Sequence, residues 1–281
     1  MQNLGSLSNG LVGISVNQKK FTFNLQGALN AIKESIENGA PILDLRQSWR
    51  NPEIANKIKG LLPEVKSRNM LISAQITRMY PGFEEVIKQV EMIRNRLGIR
   101  QLDVIEVRVP SLLVNLRETL KAVERLYLDE IISGFSLVEV KAKHLKMISE
   151  LNLNAKLEYI KLGVSAMKPV INPEVLKQVM RLNVPIFSTT PLEGGRLTES
   201  YFQNKLYRYL NARLYRALDQ ISKSRGLTFA QISIAWLNSK GIISAPSTTS
   251  PIHAFEDISS KPLKLTGEEQ RIIEKVNYKS M

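Results

Sequence analysis

The stretch Thr228-Phe-Ala-Gln-Ile-Ser-Ile-Ala-Trp-Leu-Asn-Ser-Lys-Gly241, followed at once by Ile242-Ile-Ser-Ala245, decides the fold class. It is typical of a helix that leads into a short, apolar strand. Working outward, the same alternation of β-branched runs and helical periods extends back to about residue 26. Strand and helix repeat about eight times at about 30-residue spacing, which predicts parallel strands closed into a (β/α)8, or TIM, barrel.

The predicted elements follow this alternation along the chain. Strands are expected at 41–44, 70–76, 102–109, 131–138, 156–162, 184–188 and 242–245. Helices are expected at 26–37, 51–59, 82–97, 113–126, 141–151, 172–182, 205–225 and 228–239, and from 266 onward. The strands are nearly all apolar, as expected when both faces of a sheet are buried. No linker divides the chain, so residues 1–281 are predicted to form a single domain.

Composition excludes several kinds of site. The chain has no cysteine, which excludes disulfides, thiolate metal sites and thiol nucleophiles. The two histidines, His144 and His253, lack ligand spacing, so no metal site is predicted. No run approaches the roughly 20 apolar residues that cross a bilayer, and residues 1–10 lack a signal-peptide layout. A cytoplasmic protein that does not enter membranes is therefore expected.

The formal net charge of +13 favours association with acidic partners, either protein or nucleic acid. Residues 205–223 interleave basic and aromatic side chains, as some nucleic-acid surfaces do. As a helix, this stretch places the basic residues Lys205, Arg208, Arg213, Arg216 and Lys223 around one side. The apolar stripe on the other side consists of Leu206, Leu210, Leu214, Ala217, Leu218 and Ile221. We favour an outer barrel helix with a solvated basic face, and the nucleic-acid interpretation stays open.

Three segments resemble the aldo-keto reductase superfamily. The most specific is Ala245-Pro-Ser-Thr-Thr-Ser-Pro-Ile-His-Ala-Phe-Glu-Asp-Ile258, together with the helix before it. The others are Thr190-Pro-Leu-Glu-Gly-Gly-Arg-Leu-Thr198 and Gly39-Ala-Pro-Ile-Leu-Asp44. Their order and spacing agree with the family over nearly the whole chain. The resemblance implies a barrel that holds NADP(H) at its carboxyl-terminal mouth. It also implies a tyrosine proton donor tuned by a lysine, an aspartate that fixes the lysine, and a histidine that orients the substrate.

Of these four catalytic positions, only the aspartate is kept, as Asp44. Trp49 stands where the tyrosine belongs, and its indole N–H can donate a hydrogen bond but does not ionise usefully. Gln75 replaces the lysine and supplies no charge. Arg108 replaces the histidine and stays protonated, so it is not an acid–base group. The pattern predicts that the usual carbonyl-reductase chemistry is lost.

The positions that the resemblance assigns to the cofactor are changed at one end and kept at the other. At the nicotinamide end, Ser136 is kept, while Leu137, Lys156 and Thr189 are replacements. The adenosine end matches better, although Ser247 replaces a glycine and Asp257 an asparagine that holds adenine. The cofactor-binding positions are thus predicted to be Ser136, Lys156, Pro191, Leu192, Gly194, Thr248, Thr249, Ser250, Glu256 and Asp257. NADP binding is possible by resemblance, and whether the site holds a nucleotide is left open.

Two further interpretations concern the barrel mouth. Trp49 is interpreted as an apolar plug in space vacated by substrate, in preference to a new functional group. The cations Arg108, Lys156, Arg46 and Arg50 either form an anion-binding mouth or pair with Asp44, Glu106 and Glu158. Because buried charges are tolerated mainly when paired, we favour the structural network, with Arg108 held by one of these carboxylates.

Three hypotheses for function follow. The preferred one is a catalytically inactive, aldo-keto-reductase-like protein that serves as a binding or assembly subunit for an acidic partner. The second is an NADP-dependent oxidoreductase with a rebuilt active site that uses Tyr80, Tyr159 or Glu106. The third is a nucleotide-binding sensor without turnover.

Overall fold

The computed structural model describes residues 11–76, 82–109, 116–203, 209 and 211–275, and its centre is a single sheet of eight parallel strands. The strands lie in chain order and are β1 (Ile14–Ser15), β2 (Ile42–Asp44), β3 (Leu71–Gln75), β4 (Leu102–Arg108), β5 (Ile132–Val138), β6 (Leu157–Leu162), β7 (Ile186–Ser188) and β8 (Ile242–Ser244). A parallel bridge between Val12 and Ser244 joins the first strand region to the last. The prediction of a (β/α)8 barrel is confirmed.

The described helices surround the barrel. They are α1 (Gln18–Phe23), α2 (Leu25–Glu37), α3 (Pro52–Ser67), α4 (Phe83–Leu97), α5 (Leu116–Leu128), α6 (Ala142–Glu150), α7 (Pro173–Leu182), α8 (Glu199–Phe202), α9 (Ala212–Arg225), α10 (Phe229–Ser239), α11 (Pro251–Ser259) and α12 (Gly267–Lys275). Within the part of the chain that the structure describes, no helix is both long and apolar enough to cross a membrane.

The elements differ from the predicted ones in several places, and α8 and α11 were not predicted at all. β1 and α1 precede residue 26 and were missed, because each is too short to show a period. The helix predicted at 51–59 continues to Ser67, with Pro63 inside it, so its predicted end was wrong. For the helix predicted at 205–225, the described part is α9, and residues 204–208 and 210 lie outside the described residues.

Side chains on the inner face of the strands form two layers inside the barrel. The lower layer is a cluster of buried apolar side chains, made of Leu11, Ile42, Val104, Tyr159, Phe187, Ile243 and Ala245. Successive side chains in a strand point to opposite faces, so the next inward position is two residues further along. These positions are Asp44 on β2, Glu106 on β4 and Lys161 on β6, all buried. The fold therefore stacks a charged layer on the apolar one, toward the carboxyl ends of the strands where barrel enzymes place their sites.

Candidate active site and ligand cleft

Four buried side chains are bonded to one another in the barrel centre. The Lys161 Nζ lies 2.7 Å from Oδ2 of Asp44 and 2.6 Å from Oε1 of Glu106. The Tyr159 hydroxyl donates to the same Glu106 oxygen over 2.8 Å. The chain Tyr159–Glu106–Lys161–Asp44 thus runs from the apolar layer to the mouth, and we call these four residues the barrel network.

The charges of the barrel network set its proton affinities. Burial pushes the pKa of Asp44 upward, but the positive charges of Lys161 and Arg46 outweigh it and hold that pKa below its usual value. Burial raises the pKa of Glu106, and the neighbouring charge of Asp44 raises it further. Burial also raises the pKa of Tyr159 well above its ordinary value, with the carboxylates of Glu106 and Asp44 adding to the shift. Tyr159 is therefore a weaker acid than a tyrosine in water.

The hub of the barrel network is a lysine that the sequence did not single out. The expectation that Arg108 is held by Asp44, Glu106 or Glu158 stays a prediction, and the ion pairs described for these carboxylates use other cations. Lys161 joins Asp44 and Glu106, and Arg46 also lies beside Asp44 at 3.7 Å. A charged residue near the carboxyl end of a largely apolar strand was the available signal for Lys161.

The resemblance assigns Trp49 and Gln75 to the tyrosine and lysine positions of the family, and a hydrogen bond joins these two residues in the structure. Trp49 is 1% exposed, and its indole Nε1–H donates to the backbone carbonyl of Gln75 over 2.9 Å. The Arg96 guanidinium lies 5.9 Å from the Trp49 ring centroid. This packing supports the interpretation of Trp49 as a plug.

Two predicted cofactor positions, Ser136 and Lys156, do not line the cleft described below. Ser136 is fully buried beside Glu106 in the β4–β5 register, inside the barrel. Lys156 precedes β6, at the amino ends of the strands, where it is exposed and pairs with Glu158 at 2.8 Å.

A cleft of about 490 Å³ opens beside the barrel mouth, between the segments that follow β1, β7 and β8. Six of the predicted cofactor positions line it, namely Pro191, Leu192, Gly194, Thr248, Glu256 and Asp257. Sequence reasoning missed other lining residues, which include Asn17, Lys20, Tyr201 and His253. The remaining two predicted positions shape the wall instead: Ser250 caps α11 by accepting from the His253 N–H, and the Thr249 carbonyl closely approaches Gly27.

Glu193 fixes the cleft wall that follows β7. Its buried carboxylate accepts from the Ser165 hydroxyl at 2.8 Å and pairs with Lys168 at 2.9 Å. Glu193 and Gly194 both have positive φ values, 47° and 69°. Glycine takes up this conformation without strain, whereas Glu193 is held in it by these contacts. The loop is thereby fixed with Leu192 and Gly194 facing the cleft.

Charge is distributed unevenly in the cleft. Lys20 donates from Nζ to the Ser247 carbonyl at 2.8 Å, and Arg46 donates to the Thr189 carbonyl at 2.6 Å. Asp257 lies in the wall with 4% of its surface exposed. Burial raises the pKa of Asp257 to about 8, with Glu256 adding to the shift and Lys20 opposing it. Among the described residues, no three His, Asp or Glu side chains cluster as metal ligands would.

Comparison with known proteins identifies the family. The sequence pattern of the aldo/keto reductase family matches residues 12–278, which is nearly the whole chain. The chain belongs to the aldo/keto reductase family. A curated relative of this family member is the 9,11-endoperoxide prostaglandin H2 reductase of Trypanosoma cruzi, which is 23% identical over 88% of this chain and 82% of the relative.

Solved aldo-keto reductases share the fold. One from Klebsiella pneumoniae, in complex with NADPH, superposes with a TM-score of 0.79 at 16% identity, over 95% of this chain and 90% of the other. A Klebsiella pneumoniae structure in complex with NADP and acetate gives a TM-score of 0.78 at 17% identity, with the same coverage. The recognition of the superfamily from its motifs is confirmed, and the relatives of this family member are oxidoreductases.

Proposed function

We propose that this aldo/keto reductase family member binds NADP(H) in the cleft and does not reduce carbonyls by the tyrosine mechanism of its family. The observation that carries the proposal is the state of the barrel network. Lys161 is held between the carboxylates of Asp44 and Glu106, and the Tyr159 hydroxyl donates to Glu106. The ionisable groups of the barrel network are therefore already engaged within the protein. A general acid has to reach the substrate with a pKa near the working pH, and Tyr159 is buried with a raised pKa.

The residues of the cleft fit the adenosine and phosphate half of a dinucleotide. Lys20 and Arg46 bring positive charge for phosphate groups, and polar groups such as Thr248 add hydrogen-bond partners. The buried carboxyl of Asp257 offers a partner for a hydrogen-bond donor on the ligand. Bound NADPH would supply a hydride. The positions assigned to the nicotinamide end, Ser136 and Lys156, do not line the cleft, so the adenosine half would anchor the ligand.

Two measurements test the proposal together. NADPH is titrated into the protein while its tryptophan fluorescence is followed, and NADPH oxidation is then assayed with a broad set of aldehydes and ketones. We expect saturable binding without enzyme-dependent oxidation. Lys20→Ala should weaken binding about tenfold, because it removes a charge-assisted contact. Lys19→Ala is the matched control, since Lys19 is exposed and does not line the cleft. Steady turnover of any carbonyl would contradict the inactive assignment.

A second candidate, an oxidoreductase with a rebuilt site, is favoured by one specific observation. The barrel places a lysine 2.7 Å from Asp44 and a tyrosine two residues before it, so aspartate, lysine and tyrosine are brought together from new positions. If this candidate holds, turnover is detected and both Tyr159→Phe and Lys161→Arg abolish it. Trp49→Tyr alone should not create turnover, because Gln75 supplies no charge beside it.

A further inference from the structure

Helix α7 carries a second apolar stripe, which faces solvent. On one side of the helix, Val175 and Val179 are buried against the barrel. On another side, Pro173, Leu176 and Met180 follow one another at helical spacing, and all three are exposed, Met180 to 73%. A helix on the outside of a barrel needs one apolar stripe to pack. The exposed stripe is therefore not explained by the packing of α7 on the barrel.

Exposed apolar side chains are concentrated in this part of the chain. Of the nine large apolar side chains that are exposed among the described residues, three lie within residues 170–180. Isolated ones are ordinary on protein surfaces, whereas neighbouring ones mark interaction sites. The helix is also capped at both ends, since Asn172 accepts from N–H groups of its first turn and Asn183 ends it in a left-handed conformation. The stripe is thus presented on a fixed backbone.

The surface around the stripe is basic. α6 packs beside α7. The two helices, together with the residue that caps α6, carry five exposed cations that form no ion pair with any residue that the structure describes. The five cations are Lys141, Lys143, Lys146, Lys177 and Arg181. Two carboxylates lie on the same helices, at Glu150 and Glu174, so positive charge is in excess.

Two of the five cations oppose the dipole of α6. The amino end of a helix favours anions, yet Lys141 and Lys143 stand there and the first turn contains no acid. Burial lowers the pKa of His144 in the same turn, and the charges of Lys143 and Lys141 lower it further. This concentration of positive charge is unfavourable within the protein itself, and an anionic partner would relieve it.

We propose that the α6–α7 surface, made of the α7 stripe and these five cations, binds an acidic amphipathic helix of a partner protein. Apolar side chains of that helix would cover Leu176 and Met180, while its carboxylates would pair with Lys177 and Arg181 beside them. The unbranched side chain of Met180 adapts readily to an apolar partner. None of these residues lines the cleft, so binding here does not require NADP(H).

Two other occupants fit the α6–α7 surface less well. A second copy of this chain would bring the same five cations to the interface, and each copy has a formal net charge of +13. A nucleic acid would neutralise the cations but has no apolar face to cover Leu176 and Met180. An acidic helix with one apolar face satisfies both the stripe and the cations.

The test is fluorescence polarisation with a labelled synthetic peptide of about 20 residues, long enough to form a helix, with leucines on one face and glutamates elsewhere. A peptide of the same composition, with its leucines scattered around the helix, should bind at least tenfold more weakly. The double variant Leu176→Gln, Met180→Gln should bind the first peptide about tenfold more weakly, because two apolar side chains are no longer buried on binding. Met92→Gln should bind like wild type, since Met92 is an exposed methionine on α4, outside this surface.

A second arm uses wild type alone, so it does not depend on how a variant folds. The chain has two histidines, His144 and His253, and both can be followed by NMR. Carboxylates of the bound peptide beside Lys141 and Lys143 should raise the pKa of His144. The resonance of His253, in α11, is the internal reference and should not move.

Several results would overturn the proposal. They are absence of peptide binding, equal affinity for the two peptides, and equal affinity of wild type and the double variant. Binding of single-stranded RNA that the double variant retains, without binding of the peptide, would make nucleic acid the occupant instead. A wild-type dimer in sedimentation that the double variant dissociates would make it a second copy. Each of these results leaves the proposed function of the cleft standing.

Discussion

Buried carboxylates have different bonding partners in the barrel centre and in the cleft. In the centre, Asp44 and Glu106 share the ammonium of Lys161, and all three are bonded. In the cleft, the carboxyl of Asp257 is equally buried but lacks a bonded partner among the described residues. The first arrangement pairs its charges within the protein, although Oε2 of Glu106 is buried without a hydrogen-bond partner among the described residues. In the second, the carboxyl lies in the wall of a cleft, where perturbed ionisable groups are often found at binding sites.

The largest expected effect is a loss of stability when the barrel network is broken. Lys161→Met should lower the free energy of unfolding by about 3–5 kcal/mol, because it leaves two buried carboxylates facing each other. Denaturant titration measures the change. Lys121→Met is the control: Lys121 pairs with Glu118 on an exposed helix face, where loss of the pair costs about 0–1 kcal/mol. Similar losses in the two variants would show that the barrel network contributes no more than a surface pair.

Replacing the buried acid of the cleft should instead raise the free energy of unfolding. An acid whose pKa rises on folding destabilises the folded state as pH increases from its unfolded pKa, 3.8, to its folded pKa, about 8. Asp257→Asn lacks this penalty and should be more stable than wild type by about 2–4 kcal/mol at pH 8 in the absence of ligand. Below about pH 4 the advantage should vanish.

Thermal or denaturant unfolding across this pH range tests the prediction for Asp257. Asp129→Asn is the control, since Asp129 pairs with Arg125 on the surface. A variant that is less stable than wild type at pH 8 would mean that Asp257 is satisfied within the protein, and the contrast between the two regions would fail.

A smaller effect on stability is expected at Trp49, which we interpret as an apolar plug. Trp49→Phe removes the bond from Nε1 to the Gln75 carbonyl, whereas Trp236, which is equally buried, has no partner for its Nε1 among the described residues. Each ring also has one cation about 6 Å away. Trp49→Phe should therefore cost about 1 kcal/mol more than Trp236→Phe in denaturant unfolding. Equal costs would leave Trp49 as apolar filling alone.

The smallest effect lies outside both regions, on the basic face of α9. Leu214, Ala217, Leu218 and Ile221 are buried there as the stripe predicted, and Arg213 and Arg216 are exposed. Lys205 and Arg208 lie outside the described residues. The acidic partner stays a proposal. If it is nucleic acid, replacing Arg213 and Arg216 with glutamine should reduce the salt slope of binding by about 2 and leave folding unchanged. An unchanged slope would exclude this face.

The ion pairs of the barrel centre could not be predicted from the spacing of residues along the chain. Asp44 could be placed from the sequence, since it ends a strand in a motif of known order. Its partner could not, because Lys161 is 117 positions away and meets it only when β2 and β6 face each other across the barrel. A side chain's partner depends on register and strand tilt. Those are set when the sheet closes.

The sequence by itself determined the alternation of strands and helices and the barrel that it forms, and it predicted the loss of the family's tyrosine, lysine and histidine at Trp49, Gln75 and Arg108. These depend on residue type and local period, which a linear sequence contains. Only the tertiary structure decided that Lys161 rebuilds the charge pair of the centre, that Lys20 reaches the cleft from an unpredicted helix, and that Asp257 is buried without a partner. Burial and pairing are properties of the surroundings of a residue, and closure of the barrel assembles those surroundings from strands far apart in the chain.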